Sequence, residues 1–469
     1  MLVGEVIFYY LYTMKHLSSY LLALVGAGLF AVSCTGCSND DNTPVKPTPK
    51  PTPVVDSVVP EPEEVIMYEA NPRLYGSSEC LKGLEQHLED IKALGTNVLW
   101  LMPICEYGIE KGIGSPYCIK DYTKVEPKYG TLDDLRSVVK RAHELEMAVI
   151  IDWVANHTSW DSAWISNKDW YTQDGAGNII SPAGTGWNDV ADLNFDNRAM
   201  RHAMIDAMKY WVEEADIDGY RCDAADWVPA DFWAEAIAAL RGAFPEKEIL
   251  MLAEGAEMSN FEAGFDMNYA WNYYDTLESV FKGQSADKIF KTHESEYAAI
   301  PEGAVKLRFT TNHDKTAYNG TPIEIYGGRE GSLAALTITT LMGGAPMLYA
   351  SQECAQSTAL DFMKYFDYDW AKDLDYTAKV KQIMAIRKDN KIFSKSRIQD
   401  FSGSHYVMFY RLDYPAEALV LVNVRNSEQL VTIPSAHAGK TMTDALTSES
   451  INLPEEITLG AYECKIWIK

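Results

Sequence analysis

Four short apolar segments of the sequence each end at or near a carboxylate. The carboxylates are Asp152, Asp223, Glu254 and Asp314. An ionised carboxyl can act as a nucleophile and a neutral one can deliver a proton, so a pair in different environments can divide these tasks. Any one of the four, taken alone, would more often end a strand or form a salt bridge. The chemistry therefore depends on whether the fold brings them together.

The segments between these carboxylates alternate between helices and strands. Thr131 and Asp134 form a capping box, apolar residues then recur at helical spacing as far as Leu145, and a buried strand follows. Repeated units of this kind predict an α/β fold with a parallel sheet. About eight strand candidates occur, as a (β/α)8 barrel requires: Val65–Glu69, Asn97–Met102, Ala148–Asp152, Gly219–Cys222, Ile249–Ala253, Gly264–Met267, Lys306–Thr311 and Pro346–Tyr349. Reactive side chains of such barrels lie at the carboxyl ends of the strands, where all four carboxylates fall.

Two segments depart from this alternation. Residues 158–195 are rich in Trp, Asn, Asp and Gly and lack helical periodicity, which predicts a short subdomain inserted after the third strand. From residue 395 to residue 469 the pattern changes to alternating strands, such as His405–Leu412, which predicts a C-terminal antiparallel β-sandwich. The barrel domain is therefore expected at residues 64–394.

The N-terminal region predicts export. In residues 1–37 a basic residue, a short apolar run and small residues precede Cys34, which is a signal-peptide pattern. The segment before Cys34 resembles a bacterial lipobox, with Cys37 as the competing acylation site and plain secretion as the alternative. The acidic residues that follow resemble surface-export tags of Bacteroidetes lipoproteins. Residues 38–63 are rich in Pro and Thr and predict an extended tether. We expect attachment to the outer membrane or cell surface through this lipid anchor alone.

Charge and cysteine content exclude several classes of protein. The chain has 41 Lys and Arg against 67 Asp and Glu, a net charge of −26 that repels polyanions, so nucleic acid is not expected as a partner. Its eight cysteines are scattered, without paired CxxC motifs in the globular region. They predict mostly small buried side chains and no zinc site, although export would permit a disulfide.

The motifs, in their order along the chain, resemble the conserved regions of the α-amylase family of retaining glycoside hydrolases. The main matches are Ile150-Ile-Asp-Trp-Val-Ala-Asn-His157, Gly219-Tyr-Arg-Cys-Asp223, Met251-Leu-Ala-Glu254 and Phe309-Thr-Thr-Asn-His-Asp314. Smaller matches are Tyr68-Glu69, Ser115–Tyr122, Ala191-Asp-Leu-Asn194 and Gly344–Tyr349 with Gln352-Glu353. The resemblance extends from about Val65 to Lys469. It implies hydrolysis of α-glucosidic bonds, chiefly α-1,4, in starch, glycogen or maltooligosaccharides by double displacement.

The resemblance also assigns the catalytic roles. It implies that Asp223 is the nucleophile, that Glu254 is the general acid/base and that Asp314 stabilises the distorted sugar. Such a mechanism needs an ionised and a protonated carboxyl side by side. Arg221 stands two residues before Asp223, on the same strand face, and can keep the nucleophile ionised. Glu254 then needs a less polar or more anionic setting to hold its proton.

Further residues match family positions that bind sugar or metal. By this resemblance His157 and His313 hydrogen-bond hydroxyls of the glucose at the cleavage point, and Tyr117 forms the aromatic platform beneath that ring. Asp152 matches an aspartate of the same site that often acts structurally. The family's structural calcium ion would be held by Asn156 and Asp192 together with backbone oxygens, a ligand type that suits calcium. Asn156 could equally be a sugar-binding or turn-stabilising amide.

Three departures from the family pattern leave the specificity open. Ser115 stands where many members have histidine, Asp226-Trp227 replaces a Lys-His pair, and Thr310-Thr311 precedes Asn312 where an acidic residue is frequent. The alternatives within the family are an α-glucosidase, a neopullulanase or cyclomaltodextrinase, and a transglycosidase. An inactive surface glycan-binding protein is the alternative of another class, and its sequence mark would be a lost catalytic carboxylate.

Overall fold

A computed structural model describes residues 57–469. The predicted signal peptide, the lipobox with Cys34 and Cys37, and most of the tether lie outside these residues. Within them, eight parallel strands close into a barrel in their order along the chain. These are β1 (Met67–Ala70), β2 (Val98–Leu101), β3 (Ala148–Trp153), β4 (Gly219–Cys222), β5 (Leu250–Ala253), β6 (Met267–Tyr269), β7 (Val305–Phe309) and β8 (Ala345–Tyr349). The predicted (β/α)8 barrel is confirmed.

The sixth strand starts later than the sequence predicts. The expected segment began at Gly264, but β6 begins at Met267. Gly264 has a φ of +104°, which turns the chain after a short helix. Asp266 then accepts a hydrogen bond from Met251 N at 2.9 Å. The first residues of the predicted strand therefore serve as its entry turn.

One or more α-helices follow each barrel strand along the chain. They are α1 (Cys80–Gln86), α2 (Leu88–Ala93), α3 (Leu132–Glu144), α4 (Arg198–Ala215), α5 (Ala230–Ala243), α6 (Ser259–Glu262), α7 (Trp271–Phe281), α8 (Asp287–Tyr297), α9 (His313–Asn319), α10 (Pro322–Ile325), α11 (Arg329–Leu341) and α12 (Leu374–Asp389). Helix α3 begins as predicted: Thr131 accepts from Asp134 N, and the Asp134 side chain accepts from Thr131 N. Reciprocal capping satisfies backbone donors that the first helical turn leaves without partners.

The barrel interior is closed by large apolar side chains. Trp100, Tyr269 and Phe309 are at most 1% exposed and belong to one buried cluster inside the ring. Burying a side chain of this kind stabilises the fold by about 1.5–3 kcal/mol. Because this core is tightly packed, the polar side chains at the carboxyl ends of the strands rest on rigidly held residues.

The inserted segment after β3 is held by a small sheet of its own. Strand His157–Ser159 pairs antiparallel with Val190–Asp192, and His157 is in register with Asp192. Two 3-10 helices, Ala163–Ser166 and Lys168–Trp170, lie between these strands. The expected excursion is therefore present at the carboxyl side of β3, and it forms no part of the barrel wall.

The C-terminal region folds into two antiparallel sheets. Their strands are β9 (Arg397–Asp400), β10 (Tyr406–Asp413), β11 (Ala416–Asn423), β12 (Gln429–Thr432), β13 (Thr441–Asp444), β14 (Ser450–Asn452), β15 (Glu456–Leu459) and β16 (Cys464–Ile468). One sheet has the order β9-β10-β11-β16-β13-β14 and the other pairs β12 with β15. Leu421 and Trp467 of the larger sheet share a buried cluster with Val431 and Leu459 of the smaller sheet. The predicted antiparallel domain is confirmed.

Two further features of the described residues bear on the sequence-based expectations. No helix among residues 57–469 is long and apolar enough to cross a membrane. The six cysteines of this part of the chain are all free, and five of them are buried. The interpretation of these cysteines as small buried side chains is therefore confirmed, and none of the six is paired.

Candidate active site

Arg221 of β4 is the centre of the polar cluster at the carboxyl end of the barrel. Its side chain is fully buried and reaches three carboxylates. The Nη1 atom lies 2.8 Å from Asp152 Oδ1 and 2.9 Å from Asp223 Oδ1, and Nη2 lies 2.9 Å from Glu254 Oε2. The predicted nucleophile and acid/base thus lie on one guanidinium, at the ends of the neighbouring strands β4 and β5.

Aromatic rings hold this guanidinium in place. Its carbon lies 5.0 Å from the ring centre of Trp100, 5.8 Å from that of Tyr117 and 5.7 Å from that of Tyr269. Arg221 Nε also donates to Tyr269 Oη at 3.3 Å. Cation–π contacts gain strength where water is excluded, as it is here. The positive charge that organises the carboxylates is therefore fixed by the barrel core.

Glu254 has the environment of a carboxyl that keeps its proton. Burial raises the pKa of Glu254 to about 8 against the attraction of Arg221, and the carboxylates of Asp223 and Asp314 add to the rise. Ala224 N donates to Glu254 Oε2 at 2.7 Å and fixes its orientation. One guanidinium cannot balance three anionic carboxylates, so keeping a proton on Glu254 relieves the excess negative charge.

The side chains of Asp223 and Glu254 both remain accessible to solvent. The side chain of Asp223 is 13% exposed and that of Glu254 is 16% exposed, whereas Asp152 on the same arginine is fully buried. Burial raises the pKa of Asp152 to about 7, although Arg221 opposes this. Asp152 therefore acts on the site through its contacts with Arg221 and with Tyr117, whose Oη donates to Asp152 Oδ2 at 3.0 Å.

His313 links the third predicted carboxylate to the opposite side of the barrel. Its Nδ1 lies 2.6 Å from Glu69 Oε1, and its Nε2 lies 3.5 Å from Asp314 Oδ1 and 2.9 Å from Tyr117 Oη. Burial alone would lower the pKa of His313, but Asp314 and Glu69 outweigh it and raise the pKa to about 9. A protonated His313 donates to the Glu69 carboxylate, which fixes the orientation of its ring.

His157 is buried beside the platform residue Tyr117. Its Nε2 lies 3.1 Å from the Tyr117 carbonyl oxygen and its Nδ1 lies 3.2 Å from Asn156 Nδ2. Burial lowers the pKa of His157, so the ring is neutral at pH 7. Both nitrogens already have protein partners, and a hydrogen bond to a sugar hydroxyl, as the sequence predicts, requires one of them to be released. Trp187 meets the His157 ring edge-on at 5.6 Å and packs against Trp227 at 5.8 Å.

The residues predicted to bind calcium lie together where the inserted segment begins. Asn156 accepts from Leu193 N at 3.2 Å through its backbone oxygen, next to Asp192. Burial raises the pKa of Asp192, so this carboxyl sits in a poorly solvated place. Within residues 57–469 no group of three or more His, Cys, Asp or Glu could hold a metal. The side-chain oxygens of Asn156 and Asp192 are of the type that Ca²⁺ prefers. Backbone carbonyls and water would have to complete its roughly six to eight ligands.

The sequence did not reveal the roles of Glu69 and Asp226. Its sequence context marks Glu69 only as part of the first strand, yet Glu69 is the partner of His313. Asp226, noted only as a departure, accepts from Ala256 N at 2.9 Å and from Asn260 Nδ2 at 2.9 Å. A Cβ on Gly255 would lie 2.1 Å from Asp226 Oδ1, so this approach requires glycine. The chain after Glu254 is thereby fastened to the chain after Asp223. A polar residue at the end of an apolar strand was the available signal for Glu69.

The fold and this cluster define a class of enzyme. Two carboxyls at the ends of neighbouring barrel strands, one of them with a raised pKa, are the catalytic groups that a (β/α)8-barrel glycosidase requires. Residues 68–182 and 185–395 match the family model described as the alpha amylase catalytic domain, and the chain belongs to the α-amylase family of glycoside hydrolases.

Individual relatives agree with this membership. Alpha-amylase MalA of Haloarcula japonica is 26% identical over 411 residues, which are 82% of this chain and 59% of that protein. The structure of a noncanonic maltogenic alpha-amylase AmyB from Thermotoga neapolitana superposes with a TM-score of 0.78 at 26% identity, over 87% of this chain and 99% of that one. An alpha-amylase from Lactobacillus plantarum gives 0.77 at 26% identity over the same shares. The chain spans about three fifths of the length of MalA.

Proposed function

We propose that this protein is a retaining endo-hydrolase of α-1,4-glucosidic bonds in starch, glycogen or maltooligosaccharides. The observation that carries the proposal is the placement of Asp223 and Glu254 on the two terminal nitrogens of Arg221, each 2.9 Å away. A retaining mechanism needs two carboxyls close enough to act on one glycosidic bond from different directions. Because its pKa is raised, the Glu254 carboxyl holds a proton that it can pass to the leaving oxygen.

The reaction takes place in two balanced displacements. In the first, an Asp223 oxygen attacks the anomeric carbon, the bond to the leaving oxygen breaks, and the Glu254 proton passes to that oxygen. In the second, ionised Glu254 takes a proton from water, the water oxygen attacks the anomeric carbon, and the ester bond to Asp223 breaks. The enzyme returns to its starting protonation state and the anomeric configuration is retained.

The surrounding residues prepare both steps. Arg221 donates to Asp223 and fixes its position, and is itself held by Asp152. Asp314, with its side chain 35% exposed beside protonated His313, presents a carboxylate where positive charge develops on the sugar. Because these groups are already oriented before substrate binds, little reorganisation is needed in the transition state.

Product analysis tests the proposal against the other family activities. Soluble starch, pullulan, a cyclodextrin and maltoheptaose are digested in parallel, and the products are separated by chromatography. Mixed short maltooligosaccharides released early from starch support an endo-acting α-amylase. Glucose alone from chain ends would favour an α-glucosidase, preferred attack on pullulan or cyclodextrin would favour a neopullulanase or cyclomaltodextrinase, and longer products would favour a transglycosidase. Binding without any hydrolysis would contradict the proposal and favour the inactive glycan-binding alternative.

We also propose a structural calcium ion held by Asn156 and Asp192. After EDTA treatment, adding Ca²⁺ is expected to raise the melting temperature by about 5 °C, because an ion that binds only the folded state stabilises it by mass action. The Asp192→Asn variant should lose this increase. The exposed Asp169, in the same segment, offers Asp169→Asn as a matched control that keeps it. An unchanged melting temperature of the wild-type protein, measured by differential scanning fluorimetry, would rule the ion out.

Export and lipid anchoring remain a prediction from the N-terminal sequence. The mass of the mature N-terminal peptide distinguishes acylated Cys34, acylated Cys37 and an unmodified N-terminus.

A further inference from the structure

Three aromatic side chains, Tyr117, Phe362 and Tyr318, form a continuous wall that leads away from the catalytic cluster. Phe362, only 5% exposed, meets the Tyr117 ring edge-on at 5.9 Å and the His313 ring at 5.2 Å. Tyr318 continues the wall and meets Phe362 at 6.4 Å and 88°. Tyr318 is 51% exposed, which is unusual for a ring in contact with a buried aromatic cluster. The wall therefore begins beside the reacting sugar and ends at the surface.

Tyr318 shares a helix face with a catalytic carboxylate. Asp314 and Tyr318 stand four residues apart in α9, so their side chains lie on the same face, one turn apart. One helical turn is about 5.4 Å, a distance comparable with the length of one glucose residue. Ala317 packs against the cluster that contains Phe362 and anchors this helix. The exposed ring is thus held about one sugar away from Asp314.

The segment that carries Phe362 is held through its backbone carbonyls. Asn71 Nδ2 donates to the Phe362 carbonyl at 3.4 Å, and Arg73 Nη1 donates to the Met363 carbonyl at 2.7 Å. The same Arg73 nitrogen donates to the Gly114 carbonyl at 2.8 Å, in the loop that leads to Tyr117. One buried arginine therefore holds both the platform loop and the loop carrying Phe362. A preformed surface of this kind binds with a low entropy cost.

The order of the strands indicates which side of the bond the wall serves. Glu254, which protonates the leaving oxygen, follows β5, and Ala225 N donates to its backbone oxygen at 2.9 Å. The leaving-group side therefore lies towards β4 and β5. Phe362 follows β8 and Tyr318 follows β7, and in this ring β8 is diametrically opposite β4. The wall thus lies away from Glu254, where the part of the substrate that stays attached to Asp223 is expected.

We propose that Tyr318, backed by Phe362, forms a binding subsite for the glucose residue attached to the non-reducing side of the reacting sugar. The proposal rests on the α-glucan hydrolysis proposed above and names a determinant of its chain-length preference. Pyranose rings present apolar C–H faces, and an exposed aromatic ring buries such a face without requiring the sugar to lose its hydrogen bonds to water.

Nitrophenyl glycosides test this subsite because the chromophore occupies the leaving-group side. In 4-nitrophenyl α-glucoside only the reacting sugar is present, whereas 4-nitrophenyl α-maltoside adds one glucose on the non-reducing side. The Tyr318→Ala variant is expected to lose roughly fivefold to tenfold in kcat/KM for the maltoside, with kcat/KM for the glucoside within twofold of wild type. The Tyr318→Phe variant keeps the ring and should behave as wild type with both substrates.

The controls separate failure of the subsite from failure of the proposed activity. Tyr414, which is 89% exposed in the C-terminal domain, offers Tyr414→Ala as a matched removal of an exposed tyrosine, and its kinetics should be unchanged. A Tyr318→Ala variant with unchanged kinetics on the maltoside overturns the subsite. Equal losses on both substrates also overturn it, because the ring would then act only through Asp314. If the wild-type protein cleaves no α-glucoside at all, the proposed activity itself is wrong.

Discussion

The Asp223→Asn variant is expected to lose hydrolysis of starch and maltooligosaccharides by about 10⁴-fold or more. An amide at this position cannot form the ester intermediate, so the first displacement stops before the bond to the leaving oxygen breaks. Reducing-sugar release under substrate saturation measures the effect. The loss should appear in kcat, because the uncharged side chain still fills the same space beneath the sugar.

The fold should tolerate this substitution. Arg221 keeps its ion pair with Asp152 at 2.8 Å and its contact with Glu254 at 2.9 Å, so the guanidinium is not left without a carboxyl partner. The melting temperature is therefore expected to remain within a few degrees of wild type, and maltooligosaccharide binding should persist in calorimetry. Asp206 is 76% exposed on α4 and provides Asp206→Asn as a control with normal activity. Substantial activity of Asp223→Asn on starch would assign the nucleophile to another residue.

The Glu254→Gln variant is expected to lose about 10²–10⁴-fold of its activity on starch, because no proton reaches the leaving oxygen. The loss should depend on the leaving group. Maltosyl fluoride needs no proton donor for the first displacement, so the glycosyl-enzyme should still form from it. Azide needs no general base for the second displacement and is expected to accelerate turnover, giving a maltosyl azide of retained configuration. An equal loss on starch and on the fluoride, without rescue by azide, would contradict the assignment.

The same residue predicts the alkaline limit of activity. Burial raises the pKa of Glu254 to about 8, so the carboxyl is neutral at pH 7 and loses its proton as the pH rises through 8. The reaction needs the protonated form, and kcat/KM of the wild-type enzyme should therefore fall about tenfold per pH unit above that value. This limb should be absent from the pH profile of Glu254→Gln with maltosyl fluoride. A wild-type limb beginning near pH 5 would show that Glu254 is not desolvated in solution.

Much of the barrel and the strand-end positions of the predicted catalytic residues followed from local sequence. The strand ending at Cys222 and the helix beginning after Thr131 lie where the pattern predicts them, because apolar runs, capping boxes and helical periodicity are short-range signals. Asp223 and Glu254 could be identified in the same way, since each directly follows an apolar strand in a recognisable motif. The late start of β6 at Met267 was missed because the turn at Gly264 depends on packing against its neighbours.

Only the tertiary structure decided how these residues act on one another. Glu69 and His313 are 244 positions apart and meet because β1 pairs with β8, and β8 with β7, when the barrel closes. The raised pKa of Glu254 results from burial together with carboxylates that come from other strands. The contact of Phe362 with Tyr318 joins the segment after β8 to helix α9. The chain by itself determines which residue types stand at the strand ends. Their distances, desolvation and charges depend on closure of the barrel, because electrostatic and packing interactions act through space and not along the sequence.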